Sequence, residues 1–159
     1  MARFFMIFLM IMVIGCDDSS GFYIDNECSD EEVSVIMKGI SKIHSVVGYD
    51  VVDVIGRADA SDHVVDDERN MFVCDREETP GLLGMWMSSN GGSNDDIVLF
   101  TGEMEDHDWL LVTVMHELGH LYRGDREHSE DKDSVMYYQM GDEPMSDYVG
   151  SDFVFLTGE

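Results

Sequence analysis

The chain has 159 residues, enough for one domain with a real core and too few for two. Its apolar fraction of 44% and aromatic fraction of 10% are those of an ordinary folded protein. Nine Lys and Arg stand against 34 Asp and Glu, for a net charge of −25, which argues against nucleic acid and against anionic membrane surfaces as partners. Such an excess of acid makes a solvated, self-repelling surface; recruitment of calcium or of basic substrates is the sharper alternative.

The first residues read as an export signal. Arg3 is followed by an unbroken apolar run from Phe4 to Ile14, too short to span a bilayer but the right length for a signal-peptide core. It ends in Val13-Ile14-Gly15-Cys16, followed by Asp17 and Asp18. That pattern resembles a bacterial lipobox, which predicts a signal peptide over 1–15, lipidation at Cys16, and a mature chain anchored at or exported beyond the cell envelope. Ordinary cleavage, with Cys16 an incidental thiol, is the alternative. The polar stretch 16–28 then serves as a tether, and 29–159 as the single folded domain. Cys28 and Cys74 remain as an even pair in an oxidising compartment and could form a disulfide.

Ser29-Asp30-Glu31-Glu32 is a helix start, with Ser29 as N-cap and Glu32 in the capping-box position. Val33, Ile36, Met37, Ile40, Ile43 and Val47 continue at helical spacing, and Gly48 stops the helix. Tyr49 to Gly56 is rich in β-branched residues and reads as a strand, followed by an acidic connection from Ala58 to Asp67. Met71 to Cys74 and Met85 to Met87 are further extended pieces. Asn90 to Asp96 is a polar loop with oxygen ligands enough for calcium, and equally good without metal. Ile97-Val98-Leu99-Phe100 is a compact apolar strand. Asp106 suits the N-cap of a helix from His107 to about Tyr122, and a short helix could follow within Ser146 to Phe155. The order of elements is that of an α+β domain.

The second long helix carries His116-Glu117-Leu118-Gly119-His120, followed by His128 and then by Ser134-Val135-Met136-Tyr137. Residues four apart on a helix share a face, so the imidazoles of His116 and His120 can meet one ion, with Glu117 beside them. Gly119 within a helix costs about 1 kcal/mol against Ala, which suits a close neighbour. His44, His63 and His107 read as surface or structural residues.

This arrangement resembles the metzincin clan of zinc endopeptidases, and within it the matrixin-like members. The resemblance implies a zincin fold: a small, twisted, mostly parallel sheet packed on an N-terminal helix and an active-site helix. It implies one catalytic Zn2+ held by His116, His120 and a third ligand, and hydrolysis of peptide bonds by a zinc-activated water with Glu117 as general base. Met136 would be the Met-turn residue beneath the metal, Gly124 the turn after the helix, and Tyr138 a helper at the transition state. Ile97, Val98, Leu99 and Phe100 would form the edge strand that holds an extended protein or peptide substrate. The spacing departs from the family's H-E-x-x-H-x-x-G-x-x-H by one added residue on each side of Gly124. The family's third-ligand position then falls on Arg126, which cannot bind zinc because it stays protonated. His128 with a longer turn, or Asp125, has to serve instead. A catalytically inactive zinc- or calcium-binding envelope lipoprotein, working as a binding module, is the alternative function.

Overall fold

The structure, a computed structural model, describes residues 21–60, 69–77, 79–88, 94–104, 106–137, 144 and 147–158. Eight elements follow in chain order: β1 (Gly21–Asp25), α1 (Asp30–Val47), β2 (Asp53–Ala58), β3 (Asn70–Asp75), β4 (Gly84–Ser88), β5 (Asp95–Phe100), α2 (His107–Arg123) and α3 (Gly150–Thr157). The strands form one sheet in the order β2-β1-β3-β5-β4. Every neighbouring pair is parallel except β4 with β5. The domain is therefore α+β with a mostly parallel five-stranded sheet, as the order of elements implies.

Side chains alternate across the sheet. Phe22, Ile24, Phe72, Cys74, Ile97 and Leu99 share one core with Ile36, Ile40 and Ile43 of α1 and Leu110, Val114 and Leu118 of α2. Met71, Val73, Val98 and Phe100 pack on the opposite face. The apolar spacing that defines α1 on paper is its buried face, though Met37 lies outside it, 44% exposed. The cap at Ser29 forms as expected. Its hydroxyl accepts from the Glu32 amide at 3.2 Å, and the Glu32 carboxylate accepts from the Ser29 amide at 2.7 Å. Arg76 grips that same carboxylate at 2.5 and 2.7 Å. Burial pushes the Glu32 pKa up, but the Arg76 bonds and the cap outweigh it and hold the group below its ordinary value.

Two expectations are corrected. The tether assigned to 16–28 is not one over its second half, because β1 lies inside the sheet, paired to β2 on one side and β3 on the other. Its signal is a short alternation in which Phe22 and Ile24 face the helices, easily lost in polar surroundings. The fold thus begins by Gly21 and not at Ser29. The strand Ile97 to Phe100 is not an edge: it lies between β3 and β4, with all four side chains buried. An unbroken apolar run is what a strand covered on both faces needs. The edge is β4.

Cys28 and Cys74 are joined in a disulfide, with Cα atoms 5.3 Å apart. The bond ties the start of α1 to β3 across 46 residues. Replacing both cysteines by Ser should lower unfolding stability by about 2–4 kcal/mol in urea titration, because the cross-link restricts the unfolded chain. The loss should match that of the wild type under reducing conditions.

Candidate metal centre

The middle of α2 is buried on all sides, from Leu110 through His120. Two faces of the helix are therefore covered. One packs under the sheet and α1. The other meets β4 and the segment that carries Met136. Asp106 caps the helix start, accepting from the amides of Asp108 and Trp109 at 2.9 and 3.1 Å. Gly124 ends it in the left-handed region at φ 68°, where a side chain would be strained, and its N–H reaches the His120 carbonyl at 2.8 Å.

This helix and the loop after it bring His116, His120 and His128 together, with one ligand nitrogen from each within 4.8 Å of the others. The ring centroids are 4.7, 5.2 and 4.8 Å apart. Backbone carbonyls orient the two helical rings. His116 Nδ1 sits 2.7 Å from the Val135 carbonyl, and His120 Nδ1 sits 3.1 Å from the Asp125 carbonyl. A carbonyl only accepts, so each Nδ1 carries the proton and each Nε2 is left with a lone pair. Those two Nε2 atoms face each other at 3.0 Å. Two lone pairs so placed repel unless a cation lies against both. Tetrahedral zinc, with Zn–N bonds of about 2.0–2.1 Å, sets ligand nitrogens about 3.3 Å apart, so these donors fit the ion. Burial, then the neighbouring imidazoles, lowers the His120 pKa to about 4. Burial likewise lowers that of His116. Both rings are thus neutral at ordinary pH, the form that can ligate.

The other candidate for a third ligand is placed differently. The Asp125 carboxylate accepts from Arg123 Nε and Nη2 at 3.1 and 2.9 Å and from the Glu127 amide at 3.0 Å. Its carbonyl, not its carboxylate, serves the site by orienting His120. One added residue lengthens the helix before Gly124 and the other lies in the turn between Gly124 and His128; the chain after it is pinned where the Ser129 amide donates to the Met136 carbonyl at 2.8 Å.

Met136 is fully buried. A Cβ added at Gly119 would lie 2.2 Å from its sulfur and 2.8 Å from its terminal methyl, so the helix glycine makes room for this side chain. Asp152, at the start of α3 and wholly buried, holds the turn from below. It accepts from the Ser134 hydroxyl, from the Met136 amide at 3.3 Å and from the Val149 amide at 2.8 Å.

Glu117 faces the edge strand. Its Oε2 accepts from the Trp86 amide at 2.7 Å. A Cβ on Gly84 would strike Thr113 at 2.5 Å and Glu117 at 3.1 Å, so a glycine there lets β4 lie close over α2. Burial drives the Glu117 pKa up to about 7, against the Trp86 N–H and the Arg126 charge, which both favour the carboxylate. In the β4–β5 ladder the Phe100 amide donates to the Leu83 carbonyl at 2.9 Å. The alternation of an antiparallel pair then turns the main-chain groups of Gly84, Trp86 and Ser88 outward.

A cleft of about 770 Å3 runs along this edge. It is lined by Leu82, Leu83, Trp86, Trp109, Arg126 and Tyr137 together with the three histidines and Glu117. Tyr138 lies outside the described residues, as do Cys16, His63 and most of the Asn90 to Asp96 loop. Of that loop's carboxylates, Asp95 accepts from the Trp86 indole at 3.1 Å and Asp96 from the Met71 amide at 3.0 Å. His44 is structural: its Nε2 accepts from the Val52 amide at 3.2 Å, and its Nδ1 lies 3.1 Å from Asp50. Sequence reasoning missed Trp86, Asp152 and Arg126. For Asp152 the only local signal was an acid three residues after Val149, at a helix start.

Replacing Asp152 by Ala strands the Ser134 hydroxyl and the Val149 amide, while the Met136 amide keeps the Ser134 oxygen at 3.0 Å; each donor left unpaired costs about 1–3 kcal/mol. Asp152→Ala should therefore unfold at least about 2 kcal/mol more easily in denaturant titration. No family model and no curated protein matches the sequence.

Proposed function

We propose that this chain is a zinc-dependent endopeptidase, metzincin-like and of matrixin type, exported to the cell envelope or beyond it. One observation carries the reading: two lone-pair nitrogens face each other at 3.0 Å, with a third imidazole beside them and a buried carboxylate next in sequence. His116, His120 and His128 would hold the ion. Zinc, when bound, supplies a Lewis acid that polarises a carbonyl and brings the pKa of water toward neutrality. Glu117, which lines the same cleft as the histidines, would take the proton from the attacking water and deliver it to the leaving amine. The outward main-chain groups of β4 can pair with an extended peptide as an added strand. The carbonyls of Val135 and Asp125 keep the rings of His116 and His120 in position. The disulfide supports an oxidising compartment. No helix among the described residues is long and apolar enough to cross a membrane, so attachment would rest on the Cys16 lipid.

A second reading is favoured by the bond between Glu117 and Trp86, which occupies one oxygen of the proposed base. It makes the protein a zinc-binding module without catalysis.

Two measurements separate these readings. Purified protein should carry one zinc per chain, and His128→Ala, like His116→Ala, should lose it on dialysis against a mild chelator. The wild type should cleave an unstructured protein such as casein. Glu117→Gln should keep its zinc and lose roughly 100-fold or more in turnover. Stoichiometric zinc with no cleavage by the wild type selects the binding module; no zinc at all removes both.

A further inference from the structure

Arg126 occupies the position where the longer turn departs from the family spacing, and it lines the cleft with Trp86, Trp109 and the histidines. The other arginines among the described residues are engaged. Arg57 reaches Asp30 and the carbonyls of Asp25, Asn26 and Cys28. Arg76 holds Glu32, and Arg69 lies over the Tyr23 ring. Arg123 takes Asp125, Glu127 and the Phe155 carbonyl. Arg126 makes no ion pair or hydrogen bond with any described residue, in a chain with 34 carboxylates.

Its isolation has a local cause. Asp125 and Glu127, the acids on either side of it, both turn to Arg123. Arg123 is itself fixed by the Phe155 carbonyl at 2.6 Å and by stacking over that ring at 4.2 Å. The neighbours that would ordinarily neutralise Arg126 are thus drawn off, and its guanidinium stays exposed at the cleft wall. Of the acids that line the same cleft, Glu117 feels the Arg126 charge but is buried with an oxygen on Trp86 and makes no ion pair with it, and neither does Glu103.

We propose that Arg126 is a specificity-determining residue that receives a carboxylate of the bound peptide. The proposal rests on the peptidase reading of the cleft. A guanidinium offers a planar pair of donors that matches a carboxylate in a way a lone ammonium does not. The net charge of −25 repels acidic substrates at a distance, so the selection acts at contact range and not by steering. The carboxylate could belong to an Asp or Glu side chain or to the peptide's C-terminus, and the chemistry at Arg126 is the same.

The test uses two series of synthetic peptides with the zinc-loaded full chain. One series scans Glu against Gln at each internal position with both ends blocked. The other compares free with amidated C-termini. Cleavage is read as kcat/KM, and binding is read as Kd from the fluorescence of Trp86 and Trp109, with Glu117→Gln used to prevent turnover. The carboxylate member of at least one series should be preferred by roughly 10-fold or more. That ratio should fall to near unity in Arg126→Gln and be partly restored in Arg126→Lys. A ratio near one in both series, a preference that survives Arg126→Gln, or binding of neither member overturns the proposal. If the wild type cleaves no peptide, the peptidase reading fails, and the Kd ratios alone decide the role of Arg126.

Discussion

The site depends on one electrostatic conflict. Carbonyls of Val135 and Asp125 fix the tautomers of His116 and His120, and this leaves two Nε2 lone pairs opposed at 3.0 Å. Nothing in the packing relieves the repulsion. The rings cannot swing apart, since the helix is buried on both faces and each Nδ1 is held by main chain. Protonation is also disfavoured, because burial and the neighbouring rings lower both pKa values. On the proposed reading a divalent cation would resolve the conflict, since tetrahedral zinc sets ligand nitrogens about 3.3 Å apart. Metal affinity in such a site comes from what surrounds the ligands as much as from the ligands themselves.

That surrounding structure is a stack of close approaches. Gly84 lets β4 settle on Thr113 and Glu117, and Gly119 lets Met136 settle against the opposite side of α2. Asp152 of α3 fixes the chain at Ser134 and Met136. Tyr148 adds a further tie, donating to the Met115 carbonyl at 2.6 Å. The helix is therefore clamped between an edge strand and a turn that are remote in sequence, and the three rings inherit their precision from both. The acid-rich surface takes no part in this clamp except through Asp152, whose carboxylate has been drawn inside and given three donors.

Local signals in the sequence were legible where one stretch of chain settles the outcome. The capping box at Ser29 and Glu32, the N-cap at Asp106, the stop at Gly124 and the helical spacing of His116 and His120 all involve partners within four residues. The pairing of Cys28 with Cys74 was open on sequence and needed the separation of β1 from β3 to settle it. His128 lies with His116 and His120 whereas the Asp125 carboxylate is held by Arg123, a difference that depends on how the turn folds and not on local spacing. Strand order was not legible at all. Whether Ile97 to Phe100 is an edge depends on where β3 and β4 lie, and no periodicity within four residues encodes that. β1 failed for a different reason: five residues of alternation between polar flanks carry too little signal to stand against the reading of a tether.

Trp86 shows why the edge strand and the buried acid have to be considered together. An outward N–H on a sheet edge needs an acceptor, and a carboxylate at 6% exposure needs a donor. Each satisfies the other at 2.7 Å. A peptide laid along β4 meets outward groups at Gly84, Trp86 and Ser88, of which the Trp86 amide is already engaged. Its pairing must then begin with the Trp86 carbonyl and the groups of Gly84 and Ser88, while Glu117 keeps its tie to the strand. The Glu117 carboxylate is thereby held against the edge strand by a single backbone hydrogen bond; on the proposed peptidase reading, that bond would fix the base relative to a peptide laid along the strand.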